Sequence, residues 1–338
     1  MEKIRIVAEI AQAHEGSLGI AHSLIDSAKK AGATDVKFQM HFAEEESSNE
    51  DKFRINSFPQ DKNRYSYWKR MEFSLLQWKE LFKHCREIEI NPIVSPFSHK
   101  AIELCNELGI SSLKIGSGET SNIPLIKHAA SKASEIILST GMSGWLEIDN
   151  AIKEINFLEK KNLNIIILQC TSKYPTNLEE IGIENIKSIF ERYKLPSGLS
   201  DHSGKLSPSL AAVSQGYTSM VEIHITYSKE CFGPDSKSSL EILQFKQLVE
   251  LIRETEILIS NKVDKDVIPP DIKKIKLLFS RSMFAKVNIP KGTKFNKEMI
   301  IYKKPGGGLN FNQEDLVIGK RSKFNIEKGD LISEDQIL

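Results

Sequence analysis

The sequence predicts an α/β protein, a (β/α)8 TIM barrel followed by a small, mostly β domain. About eight short apolar runs alternate with stretches of helical period over roughly 260 residues, which is the size and pattern of such a barrel. From residue 280 onward, short β-like runs are separated by turns rich in proline and glycine. We therefore expect a barrel domain over residues 1–260, a charged, proline-bearing linker over 261–279 and a small domain over 280–338.

Each predicted strand is a short apolar run bounded by polar or turn-forming residues. These runs cover residues 4–10, 35–39, 91–95, 112–115, 136–139, 164–168, 197–200 and 220–225. The helical periods between them include residues 18–31, 75–88, 99–108, 148–160 and 240–258. An open, doubly wound sheet is the alternative, but the glycine fingerprint of that fold is missing from the segment after the first strand, Glu9-Ile-Ala-Gln-Ala-His-Glu-Gly16.

Two features stand outside this alternation of strands and helices. The connection over residues 41–69 is long and acid-rich, and loops of this length are usually functional lids or disordered excursions. Its aromatic end, Arg64-Tyr-Ser-Tyr-Trp68, suggests that it folds back onto the barrel mouth, with a solvated excursion as the equal alternative. In the small domain, Asn288-Ile-Pro-Lys-Gly-Thr293 and Asn325-Ile-Glu-Lys-Gly-Asp330 indicate a weak internal duplication.

Composition places the chain among soluble cytoplasmic proteins. Its 46 basic and 45 acidic residues give a formal net charge of +1, so no global field attracts nucleic acid or an anionic membrane. The four cysteines, Cys85, Cys105, Cys170 and Cys231, show no paired spacing and indicate reduced thiols. No apolar run approaches the ~20 residues that span a bilayer, and the amino terminus has no signal-peptide pattern. We expect neither a nucleic-acid partner nor a membrane partner.

Polar residues collect where the predicted strands end, which in a barrel is the face that carries the active site. Ser200 and His202 share one face of their strand, and Glu222 and His224 share one face of the next. Two histidines and a carboxylate on neighbouring strand ends suit a divalent metal ion. Lys37 and Lys114 lie inside similar apolar runs. Burying an ammonium group costs free energy unless an anion pairs with it. The pattern predicts a small, highly anionic substrate.

Several motifs, in this order and spacing, resemble the sialic acid synthase family along nearly the whole chain. They include Val36-Lys-Phe-Gln39, Lys114-Ile-Gly-Ser-Gly-Glu119, Leu138-Ser-Thr-Gly-Met142, Cys170-Thr-Ser-Lys-Tyr-Pro-Thr176, Gly198-Leu-Ser-Asp-His202 and Glu222-Ile-His224. The resemblance implies a (β/α)8 barrel followed by an antifreeze-like (SAF) domain. It also implies an enzyme, a transferase that makes nonulosonic acids such as sialic or legionaminic acid.

The implied reaction condenses phosphoenolpyruvate with an N-acylated amino hexose and releases phosphate. The acceptor would be N-acetylmannosamine or a 2,4-diacetamido-6-deoxy hexose. Two other functions remain open. One is a phosphoenolpyruvate-dependent synthase that acts on another aldose, including a phosphorylated one. The other is a catalytically weak carbohydrate-binding scaffold, which we would expect to have lost a metal ligand or a buried lysine; this chain has lost neither.

The resemblance also assigns roles to individual residues. His202 and His224 would hold Mn²⁺ or Mg²⁺. Glu119 would be the base for the attacking water, with Glu9 and Glu222 moving protons or contacting sugar hydroxyls; these three roles are interchangeable. The residues assigned to phosphoenolpyruvate are Lys37, Ser95, Lys114, Ser117, Ser139 and Ser200, and those assigned to the sugar are Gln39, Tyr174 and Asp235.

The last assignment concerns a second copy of the chain. In the family, an arginine from the partner's antifreeze-like domain is expected to cap the barrel mouth, which makes the active unit a domain-swapped homodimer. Here the corresponding segment reads Lys303-Lys-Pro-Gly306, so Lys304 replaces the arginine. Lysine lacks the planar fork of a guanidinium group. Ala13, Gln169 and Ser172 also depart from the family pattern, the last two in the motif of the sixth strand. These changes concern the sugar and leave the metal and phosphoenolpyruvate residues intact.

Overall fold

The computed structural model describes residues 3–53 and 60–338. Its chain forms two compact units, Met1–Asn261 and Lys262–Leu338. Each unit has a hydrophobic core of its own, built from strand and helix residues in the first unit and from nine buried side chains in the second.

The first unit is a closed barrel of eight parallel strands. They follow one another around the barrel in chain order, and the first strand pairs with both the second and the eighth. The strands are β1 Arg5–Glu9, β2 Asp35–Met40, β3 Asn91–Pro96, β4 Ser112–Ile115, β5 Glu135–Ser139, β6 Asn164–Cys170, β7 Ser197–Asp201 and β8 Thr218–Thr226. The predicted barrel is confirmed, and a two-residue strand, β9 Leu240–Glu241, extends the sheet beside β8.

Helices surround the barrel and pack on it through apolar faces. In chain order they are α1 Leu18–Ala31, α2 Ala43–Glu46, α3 Arg64–Met71, α4 Leu75–Glu87, α5 His99–Glu107, α6 Ile123–Lys132, α7 Trp145–Asn156, α8 Glu184–Tyr193, α9 Ser207–Ser214 and α10 Ile242–Ser260. The predicted helix at 148–160 begins three residues earlier than expected, at Trp145, because the Glu147 side chain accepts a hydrogen bond from the Gly144 backbone N–H and so caps the first turn. Among the described residues, no helix is long and apolar enough to cross a membrane.

The interior of the barrel is filled below its carboxyl-terminal end. Six buried apolar side chains form a separate cluster there: Val7, Ile93, Ile137, Ile166, Leu168 and Met220. At the opposite end, Arg5 bridges Asp35 and Glu135, with both N···O distances at 2.6 Å. The apolar cluster therefore separates this end of the barrel from the end where the strands finish.

The long connection after β2 folds back onto the barrel mouth, as one of its two interpretations predicted. We call residues 41–69 the mouth loop; its described parts are 41–53 and 60–69. Tyr67, Trp68 and Met71 are buried together with Ala43 in a small apolar cluster. The Trp68 ring stacks on His41 with ring centroids 3.9 Å apart, so the aromatic end of the loop lies at the end of β2.

The second unit contains two short antiparallel strands, β10 Ser282–Ala285 and β11 Ile300–Lys303, and two helices, α11 Pro270–Phe279 and α12 Glu314–Val317. Helix α11 lies in the stretch that the sequence suggested as a linker. The suggested duplication has a structural counterpart. The Asn325 side chain accepts a hydrogen bond from the Lys291 backbone at 2.7 Å, and the Asn288 side chain accepts one from the Lys328 backbone at 2.8 Å.

Candidate active site

A cavity of about 840 Å³ opens at the carboxyl ends of the barrel strands and is bordered by the mouth loop. Most of the predicted site residues line it: Lys37, Gln39, Ser95, Lys114, Ser117, Glu119, Ser139, Tyr174, His202, Glu222, His224 and Asp235. Glu9 and Ser200 lie just beneath its wall, where each contacts a lining lysine. Lys304 belongs to the second unit, where its ammonium group lies 4.5 Å from the centroid of the Phe279 ring.

The two buried lysines form ion pairs with carboxylates of the protein itself. Lys37 forms an ion pair with Glu9, and its Nζ lies 3.6 Å from Glu222 Oε1. Lys114 Nζ lies 2.5 Å from the same Glu222 oxygen. The sequence grouped Glu222 with the histidines as part of a metal site, and the structure instead places it between the two ammonium groups. The other oxygen, Glu222 Oε2, is buried without a hydrogen-bond partner among the described residues.

The pKa values of the two carboxyl groups in this cluster, Glu9 and Glu222, are shifted in opposite directions. Burial raises the pKa of Glu9 more than the charge of Lys37 lowers it, and the Glu222 carboxylate raises it further. Burial would also raise the pKa of Glu222, but the adjacent ammonium groups of Lys114 and Lys37 override it and lower that pKa. Glu222 is therefore the permanent anion of the cluster, and Glu9 is the carboxyl that can hold a proton near neutral pH.

Serine hydroxyls sit around the lysines. Lys37 donates to Ser95 Oγ at 3.2 Å, and Lys114 donates to Ser200 Oγ at 3.1 Å. Both hydroxyls come from positions at or near the ends of their strands, β3 and β7. The Ser200 hydroxyl in turn donates to Glu222 Oε1 at 3.1 Å and so belongs to the ion-pair cluster. The Ser95 hydroxyl lines the cavity and can donate to an anion while it accepts from Lys37, so it extends the cationic surface toward a ligand.

A second group of hydroxyls lies beside the ends of β5 and β6. Ser117 Oγ accepts from the Gly141 backbone N–H at 3.0 Å and lies 3.2 Å from Ser139 Oγ. A side chain at Gly141 would place its Cβ 2.5 Å from Ser172 Oγ and 2.9 Å from Ser117 Oγ, so it would displace these hydroxyl groups. Ser172 Oγ is buried in the cavity wall without a partner among the described residues. The sequence analysis noted Ser172 only as a departure from the family pattern and gave it no role at the site, although its position two residues after β6 was the available signal.

His202 and His224 face each other across the cavity floor, with ring centroids 5.3 Å apart. The His202 Nδ1 atom lies 2.9 Å from the Thr171 carbonyl oxygen, which assigns the ring hydrogen to Nδ1 and leaves Nε2 as the coordinating atom. Asp235 Oδ2 lies 3.9 Å from His224 Nδ1. Among the described residues, no group of three or more metal-ligating side chains occurs. The two imidazoles are nitrogen donors of the kind that divalent transition-metal ions accept.

The residues expected to meet the sugar lie at different depths. Tyr174 stacks on His202 with centroids 4.1 Å apart, directly above the histidine pair. Gln39 donates its amide to Glu9 Oε1 at 3.2 Å and so lies next to the lysine cluster. Glu119 is half-buried at the rim, where it accepts a hydrogen bond from Asn122 at 2.7 Å. Glu119 therefore stands apart from the Glu9–Glu222 cluster.

Together, the fold and this site define a class: a (β/α)8 barrel whose mouth combines buried lysines, hydroxyl groups and a pair of imidazoles. The chain belongs to the NeuB family, whose model matches residues 24–264, and a SAF domain model matches residues 280–338. The resemblance drawn from the motifs is confirmed.

Three similar proteins illustrate the family. The N,N'-diacetyllegionaminic acid synthase of Campylobacter jejuni serotype O:2 is 33% identical over 99% of this chain and 100% of that protein. A pseudaminic acid synthase of C. jejuni serotype O:23/36 is 33% identical over 98% and 96%. A crystal structure of N-acetylneuraminic acid synthetase from Leptospira borgpetersenii, in complex with citrate, has a TM-score of 0.69 and 26% identity over 81% of this chain and 91% of that one. The prediction that the chain is an enzyme of the synthase type is confirmed.

Proposed function

We propose that this enzyme is a nonulosonic acid synthase that condenses phosphoenolpyruvate with an N-acylated amino hexose and releases phosphate. The observation that carries the proposal is the pair of buried lysines, Lys37 and Lys114, at the mouth of the barrel. Their charges are balanced by Glu9 and Glu222, and hydroxyl groups line the wall around them. A small polyanion is the ligand that such a surface suits.

Phosphoenolpyruvate would bind with its phosphate and carboxylate groups on the lysines and hydroxyls. The residues for this role are Lys37, Ser95, Lys114, Ser117, Ser139, Ser172 and Ser200. A bound trianion adds negative charge to a cluster whose own charges are balanced, which favours uptake of a proton by the carboxyl that holds it most readily. The raised pKa of Glu9 identifies that carboxyl.

In the reaction, the methylene carbon of phosphoenolpyruvate forms a bond to the aldehyde carbon of the open sugar. Water adds at the carbon that bears the phosphate, and phosphate leaves with its bridging oxygen, so that a 2-keto acid remains. The aldehyde oxygen takes up a proton and the water loses its protons. Glu222 lines the cavity and holds the lysines in place, Glu9 stores a proton behind Lys37 and Gln39, and Glu119 at the rim can accept one from water.

Mn²⁺ or Mg²⁺ held by His202 and His224 would supply Lewis-acid polarisation of the sugar aldehyde. The hydrogen bond from His202 Nδ1 to the Thr171 carbonyl fixes the ring so that Nε2 can bind the ion. Tyr174 stacks on the same ring and limits its rotation. These two contacts thus orient the His202 ring before substrate enters.

The sugar would occupy the part of the cavity near the mouth loop, with Gln39, Tyr174 and Asp235 as its polar contacts. Phe53, Trp68 and Met142 add apolar surface to that part, which suits the methyl groups of acyl substituents and of a 6-deoxy carbon. The relatives named as legionaminic and pseudaminic acid synthases support a 2,4-diacetamido-6-deoxy hexose, and N-acetylmannosamine is the other candidate. A homodimer in which Lys304 of a second copy caps the mouth would complete this region.

The test is phosphate release from phosphoenolpyruvate with Mn²⁺ and a panel of sugars: N-acetylmannosamine, 2,4-diacetamido-6-deoxy hexoses, an unacylated hexose and a hexose 6-phosphate. Release that requires one acylated amino sugar is expected, and the Lys114→Met variant should lower it by about 100-fold because a charged buried contact is lost. Release with only the unacylated or phosphorylated sugar would instead indicate a synthase for another aldose. Failure to bind either phosphoenolpyruvate or Mn²⁺, measured by calorimetry, would indicate a scaffold.

A further inference from the structure

His41, at the start of the mouth loop, has a contact on every side. Its ring lies between Trp68 and Phe97, with centroid distances of 3.9 and 4.4 Å and interplanar angles of 19° and 13°. Its Nδ1 atom lies 2.9 and 3.0 Å from the two carboxylate oxygens of Glu46. Its Nε2 atom lies 3.2 Å from Gln39 Oε1. The ring is buried and borders the cavity.

These contacts fix the orientation of the Gln39 amide. Gln39 Oε1 accepts from Gln12 Nε2 at 2.9 Å and faces His41 Nε2, so the oxygen end of the amide is held on that side. The nitrogen end then donates to Glu9 Oε1 at 3.2 Å. A flipped amide would turn its oxygen toward the Glu9 carboxyl and its NH₂ group toward donors. The assignment of the two ends follows from this set of partners.

We propose that His41 is a positioning residue that sets the Gln39 amide for the sugar acceptor and ties that amide to the mouth loop. The inference rests on the proposed function, because Gln39 serves an acceptor only if a sugar binds here. The two ring nitrogens of His41 connect the mouth loop with the Gln39 amide. Nδ1 contacts the Glu46 carboxylate in the loop, and Nε2 contacts the Gln39 oxygen.

Two substitutions separate this role from simple packing. His41→Phe keeps an aromatic ring between Trp68 and Phe97 and removes both ring nitrogens. His41→Gln removes the stacked ring and retains an NH₂ group that can reach the Gln39 oxygen. If His41 only fills space, His41→Phe is the milder change. If it positions the amide, His41→Gln is the milder change and rescues part of the loss.

The experiment measures kcat and KM for the acceptor in both variants, together with phosphoenolpyruvate affinity by calorimetry. We expect His41→Phe to raise the acceptor KM about tenfold, the effect of one buried hydrogen bond, with phosphoenolpyruvate affinity unchanged within about twofold. His41→Gln should recover part of that KM. An acceptor KM in His41→Phe equal to that of the wild type would overturn the proposal.

A crystal structure of the His41→Phe protein gives a readout that needs no turnover. We expect the Gln39 side chain to leave Glu9 and Gln12 once the His41 N–H is gone. A Gln39 amide that keeps both contacts would refute the positioning role. A wild-type enzyme that turns over no sugar would refute the proposed function, and the crystal structure would still decide whether His41 orients Gln39.

Discussion

Glu9 and Glu222 are chemically alike, and their surroundings give them opposite properties. Both carboxyl groups are buried, yet two ammonium groups lie within 3.6 Å of Glu222, whereas Glu9 pairs with Lys37 alone among the cluster's cations. The charges of Lys114 and Lys37 outweigh burial at Glu222 and do not outweigh it at Glu9. Pairs of carboxyl groups whose pKa values are driven apart in this way are typical of sites that hold and release protons.

The raised pKa of Glu9 predicts a pH dependence of stability. A carboxyl whose pKa is higher in the folded than in the unfolded protein stabilises the fold below the unfolded value, here 4.5, and this contribution is lost as the pH rises through the folded value. The contribution of Glu9 to the free energy of unfolding should therefore fall between about pH 5 and 8, and the Glu9→Gln variant should lack that fall. Urea unfolding of the wild type and the variant at several pH values measures this difference in the free energy of unfolding. Glu107→Gln, which changes an exposed carboxyl group, is the control. A slope unchanged in Glu9→Gln would contradict the assignment.

The sequence predicted the lysines of this cluster but not their partners. Lys37 and Lys114 are visible as charges inside apolar runs, because a strand pattern with a buried cation is unusual. The partner of Lys114 is Glu222, 108 residues away on a strand on the far side of the barrel. That pairing depends on barrel closure and strand register, which no local pattern encodes. For the same reason Glu222 was grouped with His224, its neighbour in sequence.

At the scale of elements, the mouth loop is fastened to the connection between β1 and α1. Arg70 in α3 pairs with Asp61 at 2.9 Å and with Glu15 at 3.1 Å. Gly16 lies directly against the same helix and has a φ of +75°. The placement of Trp68 over the cavity therefore depends on how closely the Gly16 backbone approaches α3.

This close approach predicts the cost of a methyl group at residue 16. In Gly16→Ala the new Cβ would lie 2.6 Å from the Arg70 carbonyl oxygen, in addition to the strain of a positive φ. Gly109 is the matched control, since its φ is +71° and no atom of the described residues would lie within 4 Å of an added methyl group. Gly109→Ala should cost about 1–2 kcal/mol, the usual penalty of the left-handed region, and Gly16→Ala should cost more and also weaken substrate affinity. Thermal unfolding and KM values test this, and equal effects of the two variants would refute it.

The elements themselves were predictable because the barrel repeats one simple unit. All eight strands lie within a few residues of the apolar runs that predict them, since a buried parallel strand has a continuous apolar sequence. The mouth loop had two equal interpretations, and the structure resolves them for residues 41–53 and 60–69. Its burial rests on stacking between His41, Trp68 and Phe97, which come from separate segments. Only the folded chain brings those three rings together.

At the scale of the whole molecule, the near-zero net charge conceals an asymmetry. Residues 1–261 carry 30 basic and 35 acidic residues, a net charge of −5, and residues 262–338 carry 16 and 10, a net charge of +6. Among the described residues outside the lysine cluster, the cavity is lined by five acidic side chains and by one basic side chain, Arg64. The acidic ones are Glu46, Glu50, Asp51, Glu119 and Asp235. A basic unit from a second copy is electrostatically suited to cover such a mouth, which supports the proposed capping by Lys304.

Capping predicts that the barrel alone is folded but impaired. Its core lies wholly within residues 4–252, so a protein of residues 1–261 should fold and bind phosphoenolpyruvate. We expect it to lose most sugar-dependent phosphate release and to regain it when residues 262–338 are added separately. Recovery, expressed relative to the full chain at the same salt concentration, should weaken from about 50 to 500 mM salt because screening shortens the reach of opposite charges to a few ångströms.

A point mutation tests the same cap within the full chain. Lys304→Ala should raise the acceptor KM. Lys323 is another exposed lysine above an aromatic ring, and Lys323→Ala should leave the acceptor KM unchanged. Full activity of residues 1–261 alone would show that the mouth needs no cap.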